Sequence, residues 1–313
     1  MNSDKISVIM GVYNEEEIWV RESIESILNQ TYKNLEFIII LDNPENIKLK
    51  EIIKEYSKND ERIRFYINEK NLGLIDTLNK AINLSKGKYI ARMDSDDIAV
   101  RNRLEEQMKF ISNNPEYELV GTKVEYIDEF GNEIPLSDKR VCEYREIKKY
   151  LKFDNPFAHP TILYKTDTVK NLGGYDKALY AEDYELIMKF VVNGKKVCNI
   201  DKKLLKYRLR DSGISISKKD YQVTTTQYLQ KVYKKHIKSN TSYDMDVNTL
   251  NNLLMKDDSN WNKKIYSLHK KALELGENNK KISKCIYVIL ISLISPKYFT
   301  WYKNKIASKI LFK

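Results

Sequence analysis

The sequence predicts an α/β protein with a mostly parallel, Rossmann-like sheet flanked by helices, followed by a helical C-terminal region. Short apolar runs alternate with amphipathic stretches four times in about the first hundred residues, which is the pattern of a doubly wound sheet. The apolar runs lack a polar alternation, as expected for parallel strands that are covered on both faces. From Lys218 onward only helical patterns follow.

The first hundred residues carry the regular part of this pattern. Glu15–Glu17 precede the first predicted helix, where the positive end of the helix favours acidic side chains. The predicted elements, in order, are a strand at Ile6–Met10, a helix at Ile18–Gln30, a strand at Leu35–Leu41, a helix at Ile47–Tyr56, a strand at Ile63–Ile67, a helix at Leu74–Ser85 and a strand at Tyr89–Met93.

Beyond residue 97 the pattern becomes less regular. The predicted elements are a helix at Arg101–Asn113, a strand at Leu119–Val124, a turn at Phe130–Asn132, a strand at Thr161–Tyr164, a helix at Tyr184–Val192, strands at Val197–Ile200 and Leu204–Leu209, a polar loop at Arg208–Ser217, and helices at Lys218–His236 and Asn248–Glu274.

Three carboxylates follow the strand at Tyr89–Met93 directly: Asp94, Asp96 and Asp97. Carboxylates this close repel one another, so a cation or hydrogen-bond donors must hold them together. Oxygen ligands of this kind suit Mg²⁺ or Mn²⁺, which also binds the phosphates of a substrate. An acidic loop in which Asp97 caps the next helix is the alternative.

Two other polar positions fall at the same kind of place. Tyr13 and Asp42 each follow a predicted strand, as Asp94–Asp97 do. Ligands of open α/β sheets bind beyond the carboxyl ends of the strands, so this convergence favours a ligand site. The sequence has no Gly-x-Gly-x-x-Gly or Walker-type loop, which disfavours a dinucleotide cofactor and P-loop chemistry.

Composition predicts a cytoplasmic protein. Three widely spaced cysteines among 313 residues fit a reducing compartment. No apolar stretch reaches 18 residues, so we expect no transmembrane helix. The apolar run in Met1–Met10 is too short for a secretory signal.

The net charge of +10 is concentrated at the C-terminus, since Lys280–Lys313 contains eight lysines and no acidic residue. Ile282–Ile294 is strongly apolar, and Lys297–Lys313 mixes aromatic residues with lysines. This composition predicts a peripheral contact with anionic membrane through residues 282–313. A helix packed on the body with a solvated basic face is the alternative. No binding motif supports a nucleic-acid partner.

Nine motifs follow one another over residues 6–217. They are SVIMGVYNEE at 7–16, SILNQTY at 26–32, LEFIIILDN at 35–43, NLGL at 71–74, GKYIARMDSDD at 87–97, NPFAHP at 155–160, GGY at 173–175, AEDY at 181–184 and YR at 207–208. In this order they resemble the motifs of the inverting family-2 glycosyltransferases with the GT-A fold, found in bacterial capsule, O-antigen and other polysaccharide assembly. The C-terminal third lies outside the resemblance.

The resemblance implies a nucleotide-sugar donor, most simply a UDP-hexose or UDP-N-acetylhexosamine. Tyr13 would pack on the uracil or ribose, since an aromatic ring offers a flat apolar face; its alternative role is a turn residue that covers the sheet end. Asp42 would accept a hydrogen bond from the uracil ring. The chain departs from the family here, because Leu41-Asp42-Asn43-Pro44 replaces the common Asp-Asp-Gly-Ser.

Asp94 and Asp96 match the Asp-x-Asp motif of the family, which implies that they bind Mn²⁺ or Mg²⁺, with Asp96 in direct contact and Asp94 nearer the ribose or a metal-bound water. The ion would stabilise charge on the departing diphosphate. Arg92 would pair with phosphate, or else form a buried salt bridge with a neighbouring carboxylate. Arg208 and Arg210 would contact the diphosphate, or belong to a solvated basic loop.

On the acceptor side, Asp183 matches the catalytic base of the family, which takes the proton of the acceptor hydroxyl. Glu182 would orient the acceptor or Asp183. Both acids are also consistent with plain first-turn residues of a helix. His159 would line the acceptor site, although a lone histidine is more often structural.

The sequence therefore predicts a metal-dependent inverting hexosyltransferase that extends a lipid-linked bacterial glycan at the inner face of the cell membrane. Residues 1–217 would form the catalytic domain, with a nucleotide-binding half at 1–97 and an acceptor-binding half at 98–217, and residues 218–313 a helical region. Two rival functions are an inactive glycan- or membrane-binding scaffold and a sugar nucleotidyltransferase. The first should lack the metal or base carboxylates, and the second should carry a glycine- and lysine-rich loop near the first strand.

Overall fold

The computed structural model describes residues 4–210, 218–239, 243–257, 264–265, 267–268, 271 and 281–312. The chain forms two compact units. The first comprises Met1–Ile147, Pro156–Asp176 and Glu182–Arg210, and the second comprises Lys148–Asn155, Lys177–Ala181 and Asp211–Lys313. The predicted domain boundary at residue 217 lies outside the described residues.

The first part of the first unit is the predicted parallel sheet. The elements are β1 Ile6–Val12, α1 Glu17–Leu28, β2 Leu35–Leu41, α2 Ile47–Asn59, β3 Ile63–Ile67, α3 Leu74–Leu84 and β4 Tyr89–Arg92. Strand β1 pairs in parallel with β2 and β4, and β2 pairs in parallel with β3, giving the order β3-β2-β1-β4. Nearly every side chain of β1 and β2 is buried, which explains why their sequences are mostly apolar.

The rest of the first unit extends the sheet with strands of mixed direction. The elements are β5 Ile98–Ala99, α4 Arg103–Asn113, β6 Tyr117–Ile127, β7 Glu133–Ile134, α5 Tyr144–Tyr150, β8 Leu163–Lys165, α6 Thr166–Asn171, α7 Glu182–Val192 and β9 Lys196–Arg208. The strand order is β4-β8-β6-β9-β5. Strand β8 runs antiparallel to β4 and β6, β9 runs parallel to β6 and antiparallel to β5, and β7 pairs antiparallel with β6.

Two predictions for this part were wrong. The strands predicted at Val197–Ile200 and Leu204–Leu209 are one strand, β9. Its pairing with β6 shifts register between Ile200 and Leu205, where residues 201–203 are exposed, because a bulge carries the polar residues outward without ending the strand. The strand predicted from Thr161 starts at Leu163, after a 3₁₀ turn at His159–Thr161.

The described part of the second unit is helical, as predicted. Its helices are α8 Lys219–Ser239, α9 Val247–Asp257, α10 Lys281–Ile294 and α11 Pro296–Leu311. The predicted helix Asn248–Glu274 corresponds to α9 as far as Asp257, and most of its remainder lies outside the described residues. Across the described helices, none is long and apolar enough to span a membrane.

Helix α11 packs through its aromatic residues, which differs from the membrane-facing role predicted for them. Tyr298 is buried with Ile265 and Ile291, and Trp301 and Tyr302 pack against this cluster. The Tyr298 hydroxyl donates to Asp220 Oδ1 over 3.0 Å. Of the aromatic residues at 298–302, only Phe299 is more than half exposed, at 53%.

Candidate active site

The predicted ligand residues converge on one edge of the sheet. Tyr13 follows β1, Asp42 follows β2 and Asp94 comes two residues after the end of β4. Because β1, β2 and β4 are parallel neighbours, their carboxyl ends share one edge. The structure therefore brings these three positions together, while their roles stay predictions.

Asp94, Asp96 and Asp97 form a carboxylate cluster at this edge. One carboxylate oxygen of each lies within 4.8 Å of the others. Burial, and then the charge of Asp94, raises the pKa of Asp96 to about 6. Burial and the charges of Asp96 and Asp94 also raise the pKa of Asp97. Such shifts are expected for carboxyl groups that are shielded from water and held close to one another.

This cluster fits a divalent cation. Asp97 Oδ2 is buried and has no hydrogen-bond partner in the described part of the chain, while its Oδ1 accepts from the backbone N–H of Arg208 over 2.8 Å. The side chains of Asp94 and Asp96 are partly exposed, so they can offer oxygens outward. Hard carboxylate oxygens in this number match the ligand preferences of Mg²⁺ and Mn²⁺.

Arg92 lies beneath the cluster rather than at its surface. Its side chain is 2% exposed and forms an ion pair with Asp94 Oδ1. A guanidinium this enclosed has almost no surface to present to a phosphate, so the predicted donor contact of Arg92 is not supported. The buried salt bridge, the alternative given above, is what the structure shows.

The side chain of Arg208 is also bound to other groups of the protein. Its Nε donates to Asp96 O over 2.8 Å, and Nη1 donates to Asp128 O and Glu129 O over 3.2 and 3.0 Å. Its Nη2 pairs with Glu22 Oε2 over 2.6 Å, and the residue is 3% exposed. Because four side-chain bonds use most of the five donors of the guanidinium, Arg208 acts as a clamp between chain segments. This geometry does not support the predicted contact with the donor.

Asp42 is held by a network that the sequence did not reveal. Its Oδ1 accepts from Asn68 Nδ2 over 2.7 Å and from Leu72 N over 2.9 Å, and its Oδ2 accepts from Gly73 N over 2.9 Å. Gly73 has φ +83°, which a residue with a side chain rarely adopts. Lys80 Nζ donates to Asn68 Oδ1 over 2.7 Å. Two carboxylate oxygens offer about four acceptor positions, so about one is not used by these three hydrogen bonds. Asp42 is 5% exposed, and its contact with a nucleotide base stays a prediction.

The rim beside Asp42 carries side chains that can face a ligand. Tyr13 is 42% exposed, which leaves its ring available for stacking. Asn14 Oδ1 accepts from Asn43 Nδ2 and Asn46 Nδ2 over 2.7 and 3.2 Å. These amide bonds tie the loop after β1 to the loop after β2.

Glu182 and Asp183 begin α7 and are partly exposed. Burial raises the pKa of Glu182 to about 8, with a further contribution from the charge of Asp183. Burial also raises the pKa of Asp183 to about 6, against the backbone N–H of Tyr184, which donates to Asp183 Oδ1 over 2.7 Å. The charges of Arg92 and Asp94 contribute to the pKa values of both groups, Arg92 lowering them and Asp94 raising them.

His159 is a partner of Tyr175. The His159 Nε2 and Tyr175 Oη atoms are 2.7 Å apart, and the two rings meet edge to face. The backbone of Tyr175 is held on both sides by the amide of Asn79. Burial, and then the charge of Arg92, lowers the pKa of His159 well below its usual range. A neutral imidazole that is held by Tyr175 helps to position neighbouring side chains and does not act as a proton carrier.

Residues 7–169 match the profile described as Glycosyl transferase family 2. The chain belongs to this family. It is 42% identical over 248 residues to an uncharacterized glycosyltransferase, MJ1057, of Methanocaldococcus jannaschii, covering 78% of this chain and 85% of that protein. It is 34% identical over 240 residues to the O-antigen biosynthesis glycosyltransferase WbnJ of Escherichia coli, covering 76% and 92% of the two chains.

A third relative of this glycosyltransferase is the E. coli UDP-Gal:alpha-D-GlcNAc-diphosphoundecaprenol beta-1,3-galactosyltransferase, 31% identical over 208 residues, which cover 66% of this chain and 75% of the relative. Among solved structures, S. aureus TarS 1-349 in complex with UDP-GlcNAc aligns with a TM-score of 0.60 and 20% identity, covering 80% of this chain and 70% of the TarS 1-349 chain. The predicted GT-A fold, family and enzyme class are thereby confirmed.

Sequence reasoning about this glycosyltransferase missed Trp19 and Asn68. Trp19 is the ring against which the guanidinium groups of Arg208 and Arg210 lie, 5.4 and 5.7 Å from its centroid. Nothing in its local sequence indicates this contact. Asn68, in contrast, directly follows β3, and the same strand-end rule that selected Asp42 could have found it.

Proposed function

We propose that this glycosyltransferase is a metal-dependent, inverting enzyme that moves a hexose or N-acetylhexosamine from a UDP-linked donor to a hydroxyl of a growing, lipid-linked glycan. The observation that carries the proposal is the cluster of Asp94, Asp96 and Asp97 just beyond the end of β4. Asp94–Asp97 supply oxygens for a cation, and Glu182 and Asp183 stand within their electrostatic reach.

The donor half of the proposal uses the first set. Asp94 and Asp96 would hold Mn²⁺ or Mg²⁺, which supplies Lewis-acid stabilisation of the departing diphosphate. Tyr13 would stack on the base or ribose, and Asp42 would accept from the uracil N–H with its remaining acceptor position. UDP is supported by the E. coli relative named for UDP-Gal and by the TarS complex with UDP-GlcNAc.

The acceptor half uses Asp183. Its carboxylate would take the proton of the acceptor hydroxyl while that oxygen bonds to the anomeric carbon on the face opposite the diphosphate. The bond from the anomeric carbon to the phosphate oxygen breaks, and UDP leaves with the electron pair. A carboxylate with a raised pKa is a stronger base than one with the ordinary pKa. Glu182 would orient the acceptor.

Calorimetric titration of UDP, GDP and CDP, with and without Mn²⁺, tests the donor site. Wild type and the control variant Asp201→Asn should bind UDP in preference to GDP and CDP. Both proteins should bind UDP more tightly with Mn²⁺ than without it. Asp96→Ala should lose the metal effect, whereas Asp183→Asn should keep UDP binding and lose transfer. Binding of no nucleotide under any condition would exclude the proposed donor class.

The lipid-linked acceptor is supported by the diphosphoundecaprenol named for the E. coli relative, and by one face of α10. Ile286, Ile289, Leu290 and Leu293 have the i, i+3, i+4, i+7 spacing of one helix face and are each more than half exposed. With eight lysines and no acidic residue in Lys280–Lys313, this face suits an anionic membrane surface. We propose that the enzyme works there, at the inner face of the cell membrane.

Vesicle sedimentation tests this contact with the full chain. Vesicles containing phosphatidylglycerol should pellet the wild-type protein, and neutral vesicles should pellet much less. Leu293→Glu should release it, while Met255→Glu, a similarly exposed position on α9 of the same unit, should not. Equal binding of all three proteins would rule out the α10 face as the contact.

A further inference from the structure

Arg210 lies on the carboxylate proposed to bind the metal. Its Nε is 2.7 Å from Asp96 Oδ2, and its Nη2 is 3.9 Å from Glu15 Oε1. The guanidinium also lies 5.7 Å from the ring centroid of Trp19. Its side chain is 21% exposed, in contrast to Arg92 and Arg208, so Arg210 is the arginine of the site with a path to solvent and to a ligand.

An arginine at Asp96 and a divalent ion at Asp96 oppose each other. Arg210 occupies Oδ2 of Asp96, and two cations separated by a few ångströms on one carboxylate repel strongly in a partly buried site. A metal ion that binds Asp96 therefore displaces the guanidinium group of Arg210, or binds beside it with lower affinity. Arg92 does not create the same conflict, because it approaches Asp94 from inside the protein.

We propose that the guanidinium group of Arg210 competes with the metal ion for Asp96. Arg210 pairs with Asp96 until a nucleoside diphosphate and the metal ion bind together. This inference rests on the proposed metal-dependent donor site. The two phosphates supply new anionic oxygens, and a planar guanidinium binds such oxygens well. Arg210 then exchanges one anionic partner for another, while the metal gains Asp96.

The consequence is a coupling between the metal and the nucleotide. Metal alone binds weakly because it competes with Arg210, and metal with UDP binds well because the diphosphate receives the displaced side chain. Coupling of this kind is reciprocal and typically amounts to about 5–150-fold in affinity. If Arg210 served only to bind phosphate, it would not change the affinity for the metal in the absence of nucleotide. If Arg210 were purely structural, it would increase the affinity for the metal by ordering Asp96.

Mn²⁺ titration followed by electron paramagnetic resonance of the free ion tests this, with and without UDP. Arg210→Ala should bind Mn²⁺ alone roughly tenfold more tightly than wild type, and the effect of UDP on Mn²⁺ affinity should shrink. The matched control is Arg62→Ala, which removes the same charge from a pair with Asp60. Arg62 precedes β3, at the opposite edge of the sheet, so its loss should leave Mn²⁺ affinity unchanged.

Unchanged or weaker Mn²⁺ binding by Arg210→Ala, in a protein that binds Mn²⁺ with UDP, would refute the competitor role alone. An equal gain in Arg62→Ala would also refute it, since net charge would then explain the effect. Failure of wild type and Arg210→Ala to bind Mn²⁺ under either condition would refute the metal site and the inference together.

Discussion

Replacement of Arg208 by methionine should destabilise the first unit rather than simply weaken donor binding. The substitution keeps much of the apolar stem and removes the four side-chain hydrogen bonds to Asp96 O, Asp128 O, Glu129 O and Glu22 Oε2. Each bond from a charged donor contributes about 1.5–3 kcal/mol. The total loss is smaller than the sum of the four hydrogen-bond energies, because Glu22 is partly exposed and water can replace the arginine there. Loss of a buried, paired arginine therefore costs about 3–5 kcal/mol.

Thermal and urea denaturation measure this effect. A loss of 3–5 kcal/mol corresponds to a fall of roughly 10 °C in the melting temperature of a unit of about 200 residues. Arg208→Lys should recover little of it, because an ammonium cannot reproduce the planar fork. Arg210→Met is the matched control, and its partly exposed pair should cost no more than about 1 kcal/mol. The reasoning is refuted if Arg208→Met melts like wild type and loses UDP affinity, which is the behaviour of a phosphate ligand.

Three further predictions concern the site. First, the transfer rate at saturating substrates should fall as the pH drops below about 6, because the carboxyl of Asp183 then becomes protonated. A raised pKa in the folded state also lowers stability as the pH rises through the window from about 4 to 6, so Asp183→Asn should melt higher than wild type at pH 7 and like it below pH 4. Second, Asn68→Ala should weaken UDP binding about tenfold, since an unsupported Asp42 loses a hydrogen bond worth about 1–1.5 kcal/mol. Asn68→Asp, which places a second carboxylate beside Asp42, should weaken it more; calorimetry that finds both variants unchanged would remove Asn68 from the site. Third, a chelator should abolish transfer and leave the melting temperature unchanged, and a large fall in that temperature would contradict the arginine-held cluster.

The sheet edge could be predicted because it depends on local signals alone. Continuous apolar runs identify β1, β2 and β4, and the parallel arrangement follows from the helices between them. Once those strands are parallel neighbours, Tyr13, Asp42 and Asp94 must share an edge. Each step uses residues that are close in sequence, and a single chain provides enough of them.

The arginines could not be assigned in the same way. Arg92 and Arg208 each end a strand, β4 and β9, and both were predicted to contact donor phosphate. Whether such a residue points into the protein or out of it depends on neighbours far away in sequence. Arg208 meets Glu22 and Glu129 across separations of 186 and 79 residues. Residue type alone does not distinguish a buried clamp from a phosphate ligand.

The aromatic residues of α11 pose the same difficulty. A tyrosine or tryptophan near lysines is equally suited to a membrane interface and to a small helical core. Tyr298 takes the second option, because Ile265 and Ile291 bury its ring and Asp220 accepts its hydroxyl. The aliphatic face of α10 then becomes the exposed apolar surface, although its sequence resembles an ordinary core helix.

Basic groups and a backbone N–H of the fold itself hold the acidic cluster. Arg92 neutralises Asp94 from below, the backbone N–H of Arg208 reaches Asp97, and Arg210 covers Asp96 from the solvent side. In proteins whose ligands are brought together only by the ion, the free energy of metal binding is part of the free energy of folding. Here arginines provide the opposing charge within the fold itself, so under the proposed metal dependence an ion could be exchanged without unfolding the site. The proposed binding of an ion at Asp96 would require one of the arginines to move, and Arg210 is the one whose exposure and partners allow it.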